Sequence, residues 1–145
     1  MISCRMLLGS ALSALVFFAL AACGGGEDKP GERVEVGGGQ FTRVTPKELS
    51  TLLESKDFPL VNVHIPYDGE LSATDAFIPF DTIANELDQL PDDKSARIVL
   101  YCRTGRMSTE AAERLVQLGY TNVWELGDGM QAWEAAGLQL LQNGP

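Results

Sequence analysis

A cysteine followed within four residues by two arginines and a glycine, Cys102-Arg103-Thr104-Gly105-Arg106, is the part of this 145-residue chain best suited to chemistry. A thiol attacks as its thiolate, so the first question is what would hold a negative charge on the sulfur. Upstream, Ile98-Val99-Leu100-Tyr101 is apolar, β-branched and aromatic, and reads with Arg97 as a buried strand. Downstream, Ala111, Ala112, Leu115, Val116 and Leu118 recur at helical spacing, and Gly119 stands where a helix-ending glycine belongs. Residues 102–107 therefore form a tight loop of six residues between strand and helix, with the helix beginning after Met107. The unpaired N–H groups and the macrodipole of a helix start stabilise an anion, and Arg103 and Arg106 add positive charge. Cys102 is expected to be a thiolate at neutral pH. The bland alternative, a cysteine serving as a small buried hydrophobe, leaves the two arginines and the adjoining helix start unexplained.

Residues 101–108, Y-C-R-T-G-R-M-S, resemble the active-site loop of the rhodanese-like sulfurtransferases, in which a cysteine opens a six-residue loop and carries a persulfide. Residues 122–137, N-V-W-E-L-G-D-G-M-Q-A-W-E-A-A-G, are similar to that family's closing strand, glycine turn and tryptophan-bearing helix. The resemblance covers about residues 41–141. It implies that Cys102 takes a sulfane sulfur from a donor such as thiosulfate and passes it to a thiol or cyanide acceptor, with protein donors or acceptors also open. It implies that Arg103, Thr104, Gly105, Arg106, Met107 and Ser108 surround the substrate, and that no cofactor takes part. In that setting Arg103 and Arg106 would bind the anionic donor, and Gly105 would let successive N–H groups turn inward around the sulfur. Thr104 and Ser108 could offer hydroxyls to it; Ser108 reads equally well as a helix cap.

The match has one departure. Where the family has an Asp-Val-Arg-like and then a Gly-His-Ile-Pro-Gly-Ala-like sequence, this chain has Asn62-Val63-His64 and, at residues 75–80, D-A-F-I-P-F. His64, Tyr67 and Asp68 are candidates for a changed rim. His64 is the sole histidine and reads as structural or surface; with one domain thiol it cannot build a metal site, so none is expected.

The elements that would position the loop follow in order. Residues 41–44 are a strand candidate, and Thr45-Pro46-Lys47-Glu48 is a helix start with a capping box and a proline at the first helical position. Leu49, Leu52 and Leu53 give that helix a buried stripe. Residues 59–63 form the next buried strand, and residues 77–79 a short edge strand. Asp81 is expected to cap a helix running to about Leu90, with Ile83, Leu87 and Leu90 on one face. A turn at residues 91–94 leads into the strand before Cys102. After Gly119 come a strand at 122–126, the turn Gly127-Asp128-Gly129 and a last helix at 130–136, with Trp133 in the core. Short buried strands alternating with helices predict an α/β fold of rhodanese-like type: a small, mostly parallel sheet with helices on both faces.

The N-terminus reads differently. Seventeen uncharged residues, 6–22, follow Arg5 and end in Leu20-Ala21-Ala22-Cys23, which resembles a bacterial lipobox. The expected layout is a lipoprotein signal peptide at 1–22, lipidation at Cys23, a glycine-rich tether at 23–40, the folded domain at 41–141 and a tail at 142–145. That places the protein in a bacterial cell envelope, held to the membrane by lipid. In a Gram-negative host, Gly24 favours the outer membrane, periplasmic side. A net charge of −9 argues against nucleic acid. Of the three cysteines only Cys102 lies inside the domain, so no internal disulfide is possible there. Two rival functions remain. One is a non-catalytic, lipid-anchored binding module. The other is a cysteine phosphatase, whose loop needs five residues between cysteine and arginine; Ser108 stands at that arginine position.

Overall fold

The computed structural model describes residues 30–142 and 144. The expected signal peptide, Cys23 and the first part of the expected tether lie outside the described residues. A six-stranded sheet carries the fold, in the order β1-β2-β6-β5-β3-β4. The strands are β1 (Glu32–Val36), β2 (Gly39–Val44), β3 (Leu60–Asn62), β4 (Ala76–Phe77), β5 (Ile98–Tyr101) and β6 (Val123–Leu126). All neighbours pair in parallel except β1 with β2. The helices are α1 (Pro46–Leu53), α2 (Arg106–Gln117) and α3 (Gly129–Ala135).

Side-chain alternation along the strands divides the core into two layers. Phe41, Val61, Ile98, Leu100 and Val123 face α2 with Ala111, Ala112, Leu115 and Val116. Val44, Leu60, Val99, Tyr101 and Leu126 face the other way, against Leu49 of α1 and Met130 and Trp133 of α3. The central strand β5 is buried along its whole length. Such a strand, covered on both faces, reads as a continuous apolar run instead of an alternating one.

The capping box of α1 is fully formed. Thr45 Oγ1 accepts from Glu48 N at 3.3 Å, and Glu48 Oε2 accepts from Thr45 N at 2.8 Å. The other carboxylate oxygen, Oε1, accepts from Gly31 N at 3.0 Å and so ties α1 to the start of β1.

Three expectations are corrected. The stretch at 81–90 is two short 3-10 turns, Ile83–Asn85 and Leu87–Gln89, and Asp81 caps neither. Glu86 between them has ψ +28°, outside the helical range, and Leu90 is extended as the residue before Pro91 must be. Residues 32–44 are a hairpin turning at Gly37-Gly38, with Gly38 at φ +97°, so the sheet takes in residues expected to be tether. Val34 and Val36 pack on the α2-side core, which is what draws the glycine-rich stretch into the sheet. Helix α2 starts at Arg106, so Arg106, Met107 and Ser108 belong to its first turn and the loop proper is residues 102–105.

Candidate active site

Cys102 follows β5 directly, so its position is set by a strand buried along its whole length. The residue has no accessible surface. Gly105, at φ +87°, turns the chain back so that its own N–H donates to Cys102 Sγ at 3.1 Å. A side chain there would be strained by that φ, and its Cβ would come within 3.0 Å of Asp128 N. Gly105 is also the N-terminal flanking residue of α2, so the sulfur lies beside the first turn of a twelve-residue helix. A helix N-terminus and a backbone N–H aimed at one atom favour negative charge on that atom.

The loop is clamped from behind by α3. Met130 N donates to the Cys102 carbonyl at 2.9 Å, and Gln131 N donates to the Arg103 carbonyl at 3.0 Å. Two unpaired N–H groups of one helix start thus fix the two carbonyls on which the loop hinges. Asp128 and Gly129 reach this position with φ +55° and +57°. A Cβ on Gly129 would fall on the Cys102 carbonyl oxygen.

Comparison with known proteins accords with this geometry. The family model described as "Rhodanese-like domain" matches residues 45–136. The chain belongs to the rhodanese-like domain family. It is 32% identical over 92 residues to a protein named "Sulfurtransferase" from Allochromatium vinosum, covering 62% of this chain and 84% of that one. It is 33% identical over 90 residues to "Adenylyltransferase and sulfurtransferase UBA4" from Meyerozyma guilliermondii, again over 62% of this chain but only 19% of that one. Among solved structures, the rhodanese-like domain of an Anabaena protein superposes with a TM-score of 0.59 at 23% identity, over 71% of this chain and 79% of that one.

Within this rhodanese-like domain, Ser108 is no helix cap. It is buried inside the first turn of α2, its Oγ 3.5 Å from Cys102 Sγ, 3.0 Å from the Gly105 carbonyl and 2.8 Å from Glu125 Oε2. Thr104 is exposed at the mouth, and Met107 packs partly against the core. Both arginines have carboxylate partners. Arg103 Nε lies 3.3 Å from Asp68 Oδ2 and Nη1 donates to Glu134 Oε2 at 3.1 Å. Arg106 pairs with Glu110 one turn along α2 and lies over the Phe80 ring.

The departed segment builds the facing wall. Asn62 is buried, its Nδ2 donating to the Gly69 carbonyl and its Oδ1 accepting from His64 N, each at 3.0 Å. This holds the loop that carries Asp68 to Arg103. Burial holds His64 below the ordinary imidazole range; Asp68 pulls it up and Arg103 pushes it down. Tyr101, on the opposite face of the sheet, is pushed up to about 12 chiefly by burial and takes no part.

Glu125 is the site residue that sequence reasoning passed over. It is fully buried, its Oε1 accepting from Arg43 Nε at 2.6 Å. The available signal was an acid between Trp124 and Leu126 in a short strand with few other polar positions. Among the described residues, no cluster of His, Cys, Asp and Glu could hold a metal ion.

Proposed function

We propose that this domain is a sulfurtransferase that moves a sulfane sulfur through a persulfide on Cys102. The observation that carries the reading is the Gly105 N–H held 3.1 Å from Cys102 Sγ in a loop pinned by the start of α3. With thiosulfate as donor, the Cys102 thiolate attacks the outer sulfur, a new S–S bond forms, and sulfite leaves with the electron pair of the broken one. An acceptor thiolate or cyanide then attacks the terminal sulfur and releases Cys102 as thiolate. The Gly105 N–H and the start of α2 stabilise the anionic sulfur at both stages. Because Cys102 has no accessible surface, a donor reaches it only when the side chains at the mouth move aside. A phosphatase is disfavoured, since its loop needs five residues between cysteine and arginine, and Ser108 stands at that arginine position here.

The lipobox-like residues 20–23 support a second part of the proposal: Cys23 carries lipid and holds the domain at a bacterial envelope membrane.

The deciding experiment is intact-mass spectrometry of the domain after exposure to thiosulfate. Wild type is expected to gain one sulfur atom, lost again on adding cyanide with formation of thiocyanate, while Cys102→Ser gains none and aryl phosphates are not turned over. No sulfur gain from thiosulfate or from any small persulfide would favour the binding-module reading instead.

A further inference from the structure

A buried carboxylate lies one hydroxyl away from the sulfur. The period of two along β6 puts Glu125 on the same face as Val123, beneath α2, with no accessible surface. A carboxylate stays charged out of water only if its oxygens are met by donors. Arg43 Nε meets Oε1 at 2.6 Å, and Ser108 Oγ lies 2.8 Å from Oε2. Ser108 has one proton to give and three acceptors around it: Glu125 Oε2, the Gly105 carbonyl at 3.0 Å and Cys102 Sγ at 3.5 Å. The bond to an ionised carboxylate is the strongest of the three. The hydroxyl proton therefore points to Glu125, and the oxygen accepts from the Cys102 S–H. Once Cys102 loses its proton to solvent, sulfur anion and serine lone pair face each other unless the hydroxyl turns away from Glu125.

We propose that Glu125 is a positioning residue of this site: through Ser108 it makes ionisation of Cys102 harder and thereby sets both the pH range and the nucleophilic strength of the sulfur. Its pull opposes that of the Gly105 N–H and the start of α2. A thiolate that is less stabilised is the stronger nucleophile. The other charged groups on this side are Arg43 from β2, Arg106 and Glu110 from α2, and Asp128 from the turn before α3. Arg103, Asp68, His64 and Glu134 stand at the mouth. Arg43 is held on Glu125 itself; the others are at least partly exposed and screened by water, whereas Glu125 reaches the sulfur through the buried Ser108. The proposal rests on Cys102 being the nucleophile, but its test needs no sulfur transfer.

Alkylation of Cys102 by iodoacetamide is followed from pH 5 to pH 10 in wild type and in Glu125→Gln. The glutamine keeps the shape and removes the charge. The two rate profiles are expected to cross: the variant reacts about threefold faster on the acid side and about threefold slower on the alkaline plateau. In a Ser108→Ala background, the same substitution should move the profile much less. Profiles that coincide, shift without crossing, or shift equally in both backgrounds overturn the proposal. Should Glu125→Gln not fold, the carboxyl carbon resonance of Glu125 in unaltered protein answers the same question. It is expected to step at the pH where alkylation rises, and to lose that step in Cys102→Ala; a resonance indifferent to Cys102 overturns the proposal. Crossing profiles in a protein that takes up no sulfur would reject the transferase reading and leave the role of Glu125 standing.

Discussion

Arg103 must leave Asp68 and Glu134 before it can meet a donor, which sets the scale of what it can contribute. Exposed ion pairs of this kind are worth about 0.2–1 kcal/mol each, against about 1.5–3 kcal/mol for a hydrogen bond to a charged group. Arg103→Ala is therefore expected to lower kcat/KM for thiosulfate about tenfold, the lower end of what an unpaired arginine would give. Asp68→Asn should do the reverse and raise it about twofold to threefold by freeing the guanidinium. Steady-state kinetics of both variants check this, and unchanged values in both would point to a donor that does not meet Arg103. His64 supplies a pH dependence at the same rim. Its imidazole is held below its ordinary value of 6.5, chiefly by burial, so the folded state prefers it neutral. The stabilising contribution is full above about pH 6.5 and is lost as the pH falls through the folded-state value. Melting temperature should drop between pH 7 and pH 5 in wild type and drop less in His64→Gln. A resonance that left His64 fully protonated at pH 6.5 would contradict it.

At the scale of elements, the active loop depends on two helix starts from different parts of the chain. Helix α2 brings Ser108 under the sulfur, and α3 holds the carbonyls of Cys102 and Arg103. Gly129 joins the two, since its Cβ position is already filled by the Cys102 carbonyl. Gly129→Ala is expected to destabilise the fold by about 3 kcal/mol and to abolish sulfur loading even where the protein remains folded. Urea unfolding and the mass assay read these separately, and a stable, active variant would show that the clamp is dispensable. Elements with consistent local signals were legible from sequence: α1 with its capping box, the apolar run of β5, and α2 with Gly119 at φ +93° behind it. Residues 81–90 were not, because Ile83, Leu87 and Leu90 carry a helical period that the backbone at Glu86 and the proline after Leu90 interrupt. Strand β1 was hidden by composition. The glycines on either side of it suggested a tether, while the hairpin signal was two of those same glycines between short alternating runs.

For the molecule as a whole, the acidic balance of 20 carboxylates against 11 basic residues reaches the site itself, where Arg103 and Arg106 are each matched by a carboxylate. Anchoring is the prediction at this scale. Full-length protein expressed in a bacterium should partition into detergent, and Cys23→Ser should move it to the aqueous phase; a mature chain beginning downstream of Cys23 would end the lipid proposal. Sequence alone determined the chemistry on offer, because a cysteine between a buried strand and a helix start is a local pattern of neighbouring residues. It also carried the family, whose two motifs each lie within about sixteen contiguous residues. Tertiary structure decided which groups act on that cysteine. Arg43, Asp68, Glu125 and Glu134 are far from residue 102 along the chain, and only sheet order and the packing of α3 bring them to the loop. Which lone pair the proton of Ser108 meets depends on distances across strands, and spacing along a chain does not contain those.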